Sequence, residues 1–499
     1  MQATAWRAAI FAALLFPQTT VAQDVTLTSR DGSLSLSGTL QGYDGEFFRI
    51  VTNFGPLTVD GQGVICDGPA CPDLMAPKAV IRFVGAKDAG DALLPPLFAA
   101  FSRTRGLTYN AATADAPALI SDATSGATLA ELSFQAASPV QARDALLAGA
   151  AEMIVASATE PDLGSQAVAL DALVPIMAPD NPSPKISTTN LARALSGEVT
   201  NWNQIGGPDM PLILHALAPD SDLAKALAGR LGRDVVANVT HATLTELAEA
   251  VARDPWALAV TTRAAVGKAR VLPLTDSCGF PLLPTRLAVK AQDYPLTLPV
   301  FFLTPRHRMP LVAREFLEFL SSPEAQKAVA QAGYIDRSAE RQPMTADGLR
   351  LINAIKGAGS ETSLDDLKVL VAAMDGADRL SLTFRFEGGT TTLDAASQGN
   401  LTDLAQMLEA GLFRGQALVF AGFSDGSGAA KTNFDLSQNR ADAVLGALRA
   451  LVPGLPEDQL PKVQAFGEAL PMACDETGAG RRLNRRVEVW LKPAFVVQK

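Results

Sequence analysis

The sequence predicts a multidomain protein of mixed α/β and α+β class, because three stretches differ in their periodicity. Residues 24–75 alternate apolar and polar side chains between turn-forming triplets, which is typical of a small β unit. Residues 78–338 alternate short apolar runs with helical patterns, which indicates an α/β fold with a mainly parallel sheet. Residues 378–494 combine a buried strand, a glycine- and serine-rich loop and an amphipathic helix, which favours a further α/β domain.

The composition is that of a globular protein with room for about three domains. Of 499 residues, 48% are hydrophobic and 19% are charged, and the formal net charge is −10. This acidic balance argues against a nucleic-acid-binding protein, which needs a basic face. Beyond the N-terminus no stretch reaches 18 uncharged apolar residues, so we expect no transmembrane span.

Residues 1–22 have the features of a cleaved secretory signal peptide. Arg7 supplies the positive charge, and the apolar core that follows it, residues 8–16, is too short to cross a bilayer. Thr-Val-Ala at residues 20–22 offers a cleavage site before Gln23. Because no cysteine follows that site, we expect an exported chain without a lipid anchor.

Four cysteines in an exported chain favour disulfide bonds. Cys66 and Cys71 flank a turn-rich Asp-Gly-Pro-Ala loop, and we expect them to pair. Cys278 and Cys474 form either a bridge between domains or two buried free thiols, and the sequence leaves both readings open. Neither pair has the spacing of a metal site, so no metal is expected.

The strand, loop and helix near the C-terminus place an acid and a base close together. The apolar strand 417–421 ends just before a Gly-Phe-Ser-Asp loop, so Asp425 lies at the end of a strand. Ser437 is a suitable N-cap for the helix that follows, which puts Arg440 in its first turn. Residues 480–489, Gly-Arg-Arg-Leu-Asn-Arg-Arg-Val-Glu-Val, then predict an alternating final strand.

These three motifs, in this order, resemble the OmpA-like peptidoglycan-binding domain. The family shows a Gly-x-[Thr/Ser]-Asp loop, an Arg-Ala pair 15 residues after the Asp, and a closing Asn-Arg-Arg-Val-Glu, and all three are present. The resemblance covers residues 378–494. Phe423 departs from it, since the family often has His there. The resemblance implies a peptidoglycan site made of Asp425, Ser427, Asn433, Arg440, Arg485 and Arg486.

The chemistry of the residues agrees with that implication. Peptidoglycan of the diaminopimelate type presents an ammonium beside a carboxylate. Asp425 can accept from the ammonium, and Arg440 can hold the carboxylate with its planar guanidinium. Loop amides around Ser427 and Gly428 can add donors. The alternative is a structural ion pair between Asp425 and Arg440 that caps the helix.

The same loop matches the Gly-x-Ser-x-Gly pattern of a hydrolase nucleophile, with Ser424 at its centre. That fold needs an acid and then a histidine after the serine. The three histidines, His215, His241 and His307, all precede Ser424, so the required order is impossible. We therefore expect no enzyme, and no cofactor.

The middle stretch resembles the substrate-binding proteins of phosphate ABC transporters. A Pro-Asp-Asn-Pro turn at 179–182 precedes residues 191–207, which contain a helix, a Gly, a Trp and a Gly-Gly pair. Residues 278–280 and 293–296 resemble the family's return segment. This resemblance implies a periplasmic-binding-protein-like domain with two lobes and a cleft. The OmpA-like resemblance described above implies that the C-terminal domain is an OmpA-like α/β sandwich.

Three loops are expected to face that cleft and hold a small anion such as phosphate through hydroxyls, backbone N–H groups and a cation. The expected ligand-binding residues are Lys87, Asp88, Ser157, Thr159 and Ser221.

Two departures place phosphate in question: residues 215–218 lack the family's Arg, and Asp222 replaces a neutral donor. A carboxylate there repels an anion. Three readings stay open: Lys87 replaces the Arg, the ligand differs, or the cleft holds no ligand.

Residues 339–377 contain two short helical patterns, 349–355 and 364–374, and read as a partly ordered helical linker. Ser363 with Asp366 predicts a capping box at the start of the second helix.

Taken together, these features predict a periplasmic solute-binding protein held on peptidoglycan, and they leave association with the outer membrane open. The alternative is a structural tether or scaffold whose α/β domain binds a protein partner.

Overall fold

The structure, a computed structural model, describes residues 25–43, 46–71, 79–114, 116–306, 309–359, 361–387 and 390–493. The predicted signal peptide, residues 1–22, lies outside the described residues. The chain divides into two compact units. The first contains the residues through Ala79 together with Ala127–Leu129 and Pro310–Val312, and the second contains the rest of the chain from Val80 onward.

The first unit is a five-stranded antiparallel sheet in the order β4-β3-β2-β1-β5. Alternating residues bury Val25, Leu27, Phe48 and Ile50 on one face, as the period-2 pattern predicts. The predicted bond between Cys66 and Cys71 is present. The strands are β1 (Val25–Ser29), β2 (Ser35–Tyr43), β3 (Phe47–Thr52), β4 (Gly55–Asp60) and β5 (Val64–Asp67).

The second unit begins with a large sheet flanked by helices. Its strands are β6 (Ala79–Gly85), β7 (Leu107–Asn110), β8 (Ala118–Asp122), β9 (Thr128–Ala136), β10 (Met153–Ala156), β11 (Gly164–Met177), β12 (Ile186–Ser187), β13 (Ile213–Leu217), β14 (Val239–His241), β15 (Ala257–Thr262), β16 (Arg270–Val271), β17 (Leu274–Thr275), β18 (Pro281–Leu282) and β19 (Thr297–Thr304). Its helices are α1 (Lys87–Thr104), α2 (Pro139–Leu147), α3 (Thr188–Leu195), α4 (Asp222–Leu231), α5 (Leu244–Arg253), α6 (Arg286–Lys290), α7 (Leu311–Phe319) and α8 (Pro323–Gln331).

The large sheet is mixed, so the prediction of a mainly parallel sheet is wrong. Its order is β14-β13-β15-β11-β19-β10-β6-β9-β8-β7, with β16 beside β11. Pairing is parallel between β10 and β6 and on both sides of β13, whereas β11 and β19 pair antiparallel through the middle. The long strands β11 and β19 make the centre of the sheet antiparallel.

Two lobes lie on either side of the antiparallel pair β11 and β19. The first lobe is built on β6 and β10 with α1 and α2, and Val84, Ile154 and Leu303 contribute to its core. The second lobe is built on β13, β14 and β15 with α4 and α5, and its core includes Leu173 and the buried Trp202.

The C-terminal part of the second unit is a five-stranded sheet covered by helices, in the order β20-β21-β24-β22-β23. Its strands are β20 (Arg341–Pro343), β21 (Asp378–Phe384), β22 (Gln416–Phe423), β23 (Lys462–Ala465) and β24 (Arg486–Pro493). Its helices are α9 (Gly348–Gly357), α10 (Leu364–Met374), α11 (Ala395–Glu409), α12 (Ala430–Leu451) and α13 (Gly478–Asn484). None of the helices that the structure describes combines the length and apolar character needed to cross a bilayer.

The stretch expected to be a linker is part of this domain. Ser363 starts α10 with the predicted capping box. Leu370 and Met374 of that helix are buried against Phe423 and Trp490 of the sheet. Both helical patterns were therefore correct, and the buried residues of both helices pack against the sheet, although Leu349, Ile352 and Ile355 of α9 are exposed.

Two further local predictions are wrong. Helix α12 begins at Ala430, so Ser437 lies inside it, where its Oγ donates to the carbonyl of Phe434 and accepts from the N–H of Gly467. The closing motif does not alternate: α13 occupies residues up to Asn484, and the first six residues of β24 are all buried because helices cover both faces of the sheet.

The two-lobed part and the C-terminal part are joined by a disulfide bond and by buried ion pairs. Cys278 is bonded to Cys474, which settles the alternative left open by the sequence. Arg379 of β21 binds Asp293 at 2.6 Å, and Arg385 binds the same carboxylate at 3.2 Å. All three ion-pairing residues are buried, so this junction is a packed interface.

Candidate functional site

The C-terminal loop leaves the sheet at the end of β22, whose last six residues are buried. The side chain of Phe423 is fully buried at the end of β22, and the N–H of Ser424 donates to the carbonyl of Gly467 at 2.8 Å. The chain then turns toward α12 through Gly428, whose φ of +102° is rarely adopted by other residues. This turn leaves Asp425 between the strand and the helix.

The carboxylate of Asp425 is held by Arg485. Nη1 of Arg485 donates to Oδ2 at 2.8 Å, and the N–H of Ser427 donates to Oδ1 at 3.1 Å. Burial raises the pKa of the Asp425 carboxyl, but these hydrogen bonds outweigh it, so the pKa lies below its ordinary value. Asp425 is therefore ionised at neutral pH, and its ion-pair partner is Arg485 instead of Arg440.

The guanidinium of Arg440 is buried beside this pair without a full set of partners. Only 5% of the residue is exposed, and within the described part of the chain its Nε and Nη1 have no hydrogen-bond acceptor. Its Cζ lies 5.8 Å from the ring centroid of Phe386. Burial, followed by the charge of Arg485, lowers the pKa of Arg440, and Asp425 partly restores it. The site thus contains an anion and, next to it, a cation with unused donors.

Of the remaining predicted wall-site residues, Asn433 lies in the first turn of α12 and Ser427 in the loop. Nδ2 of Asn433 donates to Glu468 at 2.6 Å, so its amide is already engaged. Ser427 is exposed, and its N–H is bound to Asp425. Sequence reasoning missed Asp475, whose Oδ2 accepts from the loop N–H of Gly426 at 2.7 Å, and no pattern near it identifies that role.

Arg486 does not belong to this site. Its side chain is fully buried, pairs with Glu488 at 2.7 Å and stacks on Phe423 with its Cζ 4.2 Å from the ring centroid. Burial raises the pKa of Glu488, but Arg350, Arg379 and Arg486 outweigh it and hold the pKa well below its ordinary value. The adjacent arginines of the closing motif therefore have different surroundings: Arg485 reaches the loop, and Arg486 is buried in the core.

The inter-lobe cleft is a cavity of about 300 Å³ at the ends of β6, β10 and β13. Gly85 ends β6 with a φ of +129°, and a Cβ there would lie 2.1 Å from the carbonyl oxygen of Val155. Four of the five residues predicted for an anion site line this cavity: Lys87, Asp88, Ser157 and Ser221. Thr159 lines a different cavity.

The donors of the first lobe are already used by a carboxylate of the second lobe. Both the N–H of Ser157, at 3.1 Å, and its hydroxyl donate to the carboxylate of Asp222. Burial raises the pKa of Asp222, and the bonds from Ser157 offset part of that shift. Ser221 caps α4, its Oγ accepting from the N–H of Ala224 at 3.3 Å. Asp222 thus occupies the position where an incoming oxyanion would accept hydrogen bonds.

The remaining charges of the cleft do not favour an oxyanion either. Lys87 is exposed and pairs with Asp91 at 2.5 Å, so it does not serve as a free replacement for the missing Arg. Asp88, Asp220 and Asp222 place three carboxylates in the lining. Burial raises the pKa of Asp88, which is the response of a carboxyl group that is poorly solvated.

Two family models match parts of this chain. Residues 385–485 match the model of the OmpA family. Residues 105–324 match the model of a PBP superfamily domain. Both resemblances inferred from the sequence are therefore confirmed, together with the predicted fold class of a small β unit, a lobed α/β domain and a C-terminal α/β domain. Both families are non-enzymatic binding or structural domains.

One curated relative and two solved structures give the range of similarity. The chain is 34% identical over 108 residues to the probable lipoprotein YiaD of Escherichia coli strain K12, an alignment that covers 22% of this chain. The chain spans about half, 47%, of the length of that relative. An ABC-type phosphate transport receptor from Vibrio cholerae has 17% identity and a TM-score of 0.41, covering 51% of this chain and 99% of the other. A phosphate ABC transporter substrate-binding protein from Clostridium perfringens has 15% identity and the same TM-score of 0.41, covering 52% and 99%.

Proposed function

We propose that this protein is a peptidoglycan-bound binding protein of the periplasm, and that its C-terminal domain holds the diaminopimelate end of the wall peptide. The observation that carries the proposal is the guanidinium of Arg440, which is buried with unused donors beside the ionised Asp425. The OmpA-family match supports association with the cell envelope. Export, peptidoglycan type and attachment near the outer membrane are parts of the same proposal.

The two charges match the two ends of a zwitterion. An ionised carboxylate has about four acceptor positions, so Asp425 can accept from a ligand ammonium while it keeps its bonds to Arg485 and Ser427. The ligand carboxylate would accept from the unused nitrogens of Arg440. Each hydrogen bond to a charged group contributes roughly 1.5–3 kcal/mol, which suits a reversible wall contact.

The energetic state of the free protein is part of this proposal. Burying a cation without acceptors costs free energy. The free site carries that cost at Arg440, and a ligand carboxylate removes it on binding. A residue that only stabilised the fold would have the opposite property, because its donors would be satisfied before any ligand arrived.

Co-sedimentation with purified peptidoglycan sacculi tests this role. Arg440→Ala is expected to abolish co-sedimentation of the full chain, because the carboxylate loses its cation. Arg449→Ala is the matched control, since Arg449 lies on the same helix but is exposed, and its one ion-pair partner among the described residues is Glu457. Undiminished sedimentation of Arg440→Ala would exclude Arg440 from wall binding.

A scaffold role is the second candidate, and a specific observation favours it. The C-terminal part contacts both lobes: Arg385 binds Asp293 beside the second lobe, while Ala395 packs against the core of the first lobe. Ser157 and Asp222 also join the lobes directly. Lobes tied in this way do not open freely around a solute.

Distance measurements across the cleft separate a scaffold from a hinged solute receptor. Spin labels at Lys87→Cys and Ala242→Cys would lie on opposite lobes, at exposed positions that line the cleft. The scaffold predicts one narrow distance distribution. A broad or two-component distribution would show lobes that move, and would favour the receptor.

A further inference from the structure

A second cavity, of about 480 Å³, lies where the two-lobed part meets the C-terminal part. We name it the junction cavity. It is separated from the inter-lobe cleft by the pair Ser157 and Asp222, which line both. Its lining includes Thr159, Lys225, Arg230, Phe386 and Arg482.

Three cations of the junction cavity have no ion-pair partner among the residues that the structure describes: Lys225, Arg230 and Arg482. Arg230 is fixed by its Nε, which donates to the carbonyl of Thr297 at 2.8 Å, and by its Nη1, which donates to the carbonyl of Ala226 at 3.0 Å. Its Nη2 makes no hydrogen bond with a described residue and is available to the cavity. A positioned guanidinium with a free nitrogen is a suitable donor for an oxyanion.

The two arginines are close enough to repel one another. Burial, followed by the charge of Arg482, lowers the pKa of Arg230 to about 10, so Arg230 stays charged at neutral pH. Placing like charges together costs free energy that an anion between them removes. The arrangement joins one arginine from the second lobe with one from α13 of the C-terminal part, and neither part forms it alone.

The acidic residues of the junction cavity make their hydrogen bonds with other groups, although the charge of Asp222 partly offsets the lowering of the Arg230 pKa. Glu160 accepts from an arginine of α2 at 3.0 Å. Asp222 accepts from Ser157, and Asp394 caps α11 by accepting from the N–H of Ser397 at 2.8 Å. Arg385 also lines the cavity, but it is bound to Asp293.

We propose that the junction cavity is an oxyanion site, in which Arg230 and Arg482 bind the phosphate or carboxylate group of a small solute. The volume exceeds that of an inorganic anion, so the solute has room for an organic body. The source of the oxyanion is either a free solute or a carboxylate of the wall peptide, since Phe386 lines the cavity and also packs under Arg440.

Calorimetric titration of the full chain with inorganic phosphate tests the site. Arg482→Gln is expected to weaken binding by at least about tenfold, which corresponds to one charged hydrogen bond. Because Arg482 is exposed and makes no side-chain bond to a described residue, the variant should fold normally. Arg253→Gln is the control, as it removes an exposed arginine of α5 that lines neither cavity.

A soluble diaminopimelate muropeptide distinguishes the two sources. If it competes with phosphate and Arg440→Ala removes the competition, the natural oxyanion belongs to the wall peptide. If it does not compete and phosphate binding stays sensitive to Arg482→Gln, the oxyanion belongs to a free solute. Both outcomes support the site. Binding that Arg482→Gln leaves unchanged, or no binding of either probe to the wild-type chain, would overturn it. If Arg440→Ala still binds phosphate, loss of wall binding in that variant does not count against the junction cavity.

Discussion

The proposed wall site and the inter-lobe cleft are built alike but differ in whether their donors are used. Each lies where a buried strand ends beside a helix. In the wall site, Nε and Nη1 of Arg440 have no acceptor in the described part of the chain. In the cleft, the N–H and hydroxyl of Ser157 both bind the carboxylate of Asp222. One site has donors without a partner in the described part of the chain, and the other satisfies them within the protein.

The two sites differ in where their polar groups find partners. In the lobed domain, the donors at the end of a strand are bound by the acidic side chain of Asp222. The C-terminal domain keeps a cation buried at a cost. Satisfied polar groups are thus evidence for structure, whereas a buried group without partners is evidence for a ligand.

The largest effect is expected from the bond between Cys278 and Cys474, which keeps the domains of the two compared sites together. Its cysteines are 196 residues apart, against 5 for Cys66 and Cys71. Loop-closure entropy gives about 5 kcal/mol for the long loop and about 2 kcal/mol for the short one. In chemical denaturation, the double Cys→Ala variant at 278 and 474 should therefore lose more stability than the matched variant at 66 and 71. Equal losses would contradict a shared, packed unit.

A pH-dependent change of about 3 kcal/mol in the free energy of unfolding is expected from Asp171 of β11. Unlike the donors of the inter-lobe cleft, which are satisfied, Oδ2 of Asp171 is an acceptor without a described partner. Its side chain is fully buried, and Oδ2 has no described partner. Burial raises its pKa from 3.8 to about 6, which at about 1.4 kcal/mol per unit gives this magnitude. Because the folded state binds the proton more tightly, the stability is present below pH 4 and is lost as the pH rises through 6.

Asp171→Asn should remove this dependence. At pH 7.5 the variant is expected to have a higher free energy of unfolding than the wild type, and the difference should shrink to near zero below pH 4. Thermal unfolding of both proteins at several pH values measures it. A constant difference between the two proteins across this range would contradict the account.

The smallest expected effect is the difference in stability between a variant of the cleft and a variant of the proposed wall site. Asp222→Ala leaves two donors of Ser157 without an acceptor and should destabilise the protein by roughly 1–3 kcal/mol. Arg440→Ala removes a cation whose donors are unused, so the melting temperature should stay the same or rise. The same melting experiment on both variants gives the contrast. A large loss of stability in Arg440→Ala would assign that residue a structural role.

Local patterns predicted the strand and loop that present Asp425, and the capping box at Ser363, because such features depend on neighbouring residues. The pairing of Asp425 with Arg485 was not predictable, since it joins residues 60 positions apart in the chain. Arg485 and Arg486 look equivalent in the sequence, but Arg485 caps the end of α13 whereas Arg486 begins β24. Only the packing of Phe423 under Arg486 shows which one turns inward.

The cleft shows a different limit of the sequence. Asp222 was recognised as an unfavourable residue for an anion site, and that reading needed only its charge. That it binds both donors of Ser157 depends on how close the two lobes come, which no local pattern encodes. The predicted start of α12 was wrong for a related reason. Ser437 resembles an N-cap, but the helix begins seven residues earlier, at Ala430, and Ser437 accepts a hydrogen bond from the N–H of Gly467.

A crystal structure with meso-diaminopimelate would test the central claim most directly. The account predicts the ammonium of the ligand at Asp425 and its carboxylate on Nε or Nη1 of Arg440, with the pair Asp425 and Arg485 still in place. A ligand bound elsewhere, or a carboxylate held by Arg485 while the donors of Arg440 stay unused, would contradict it.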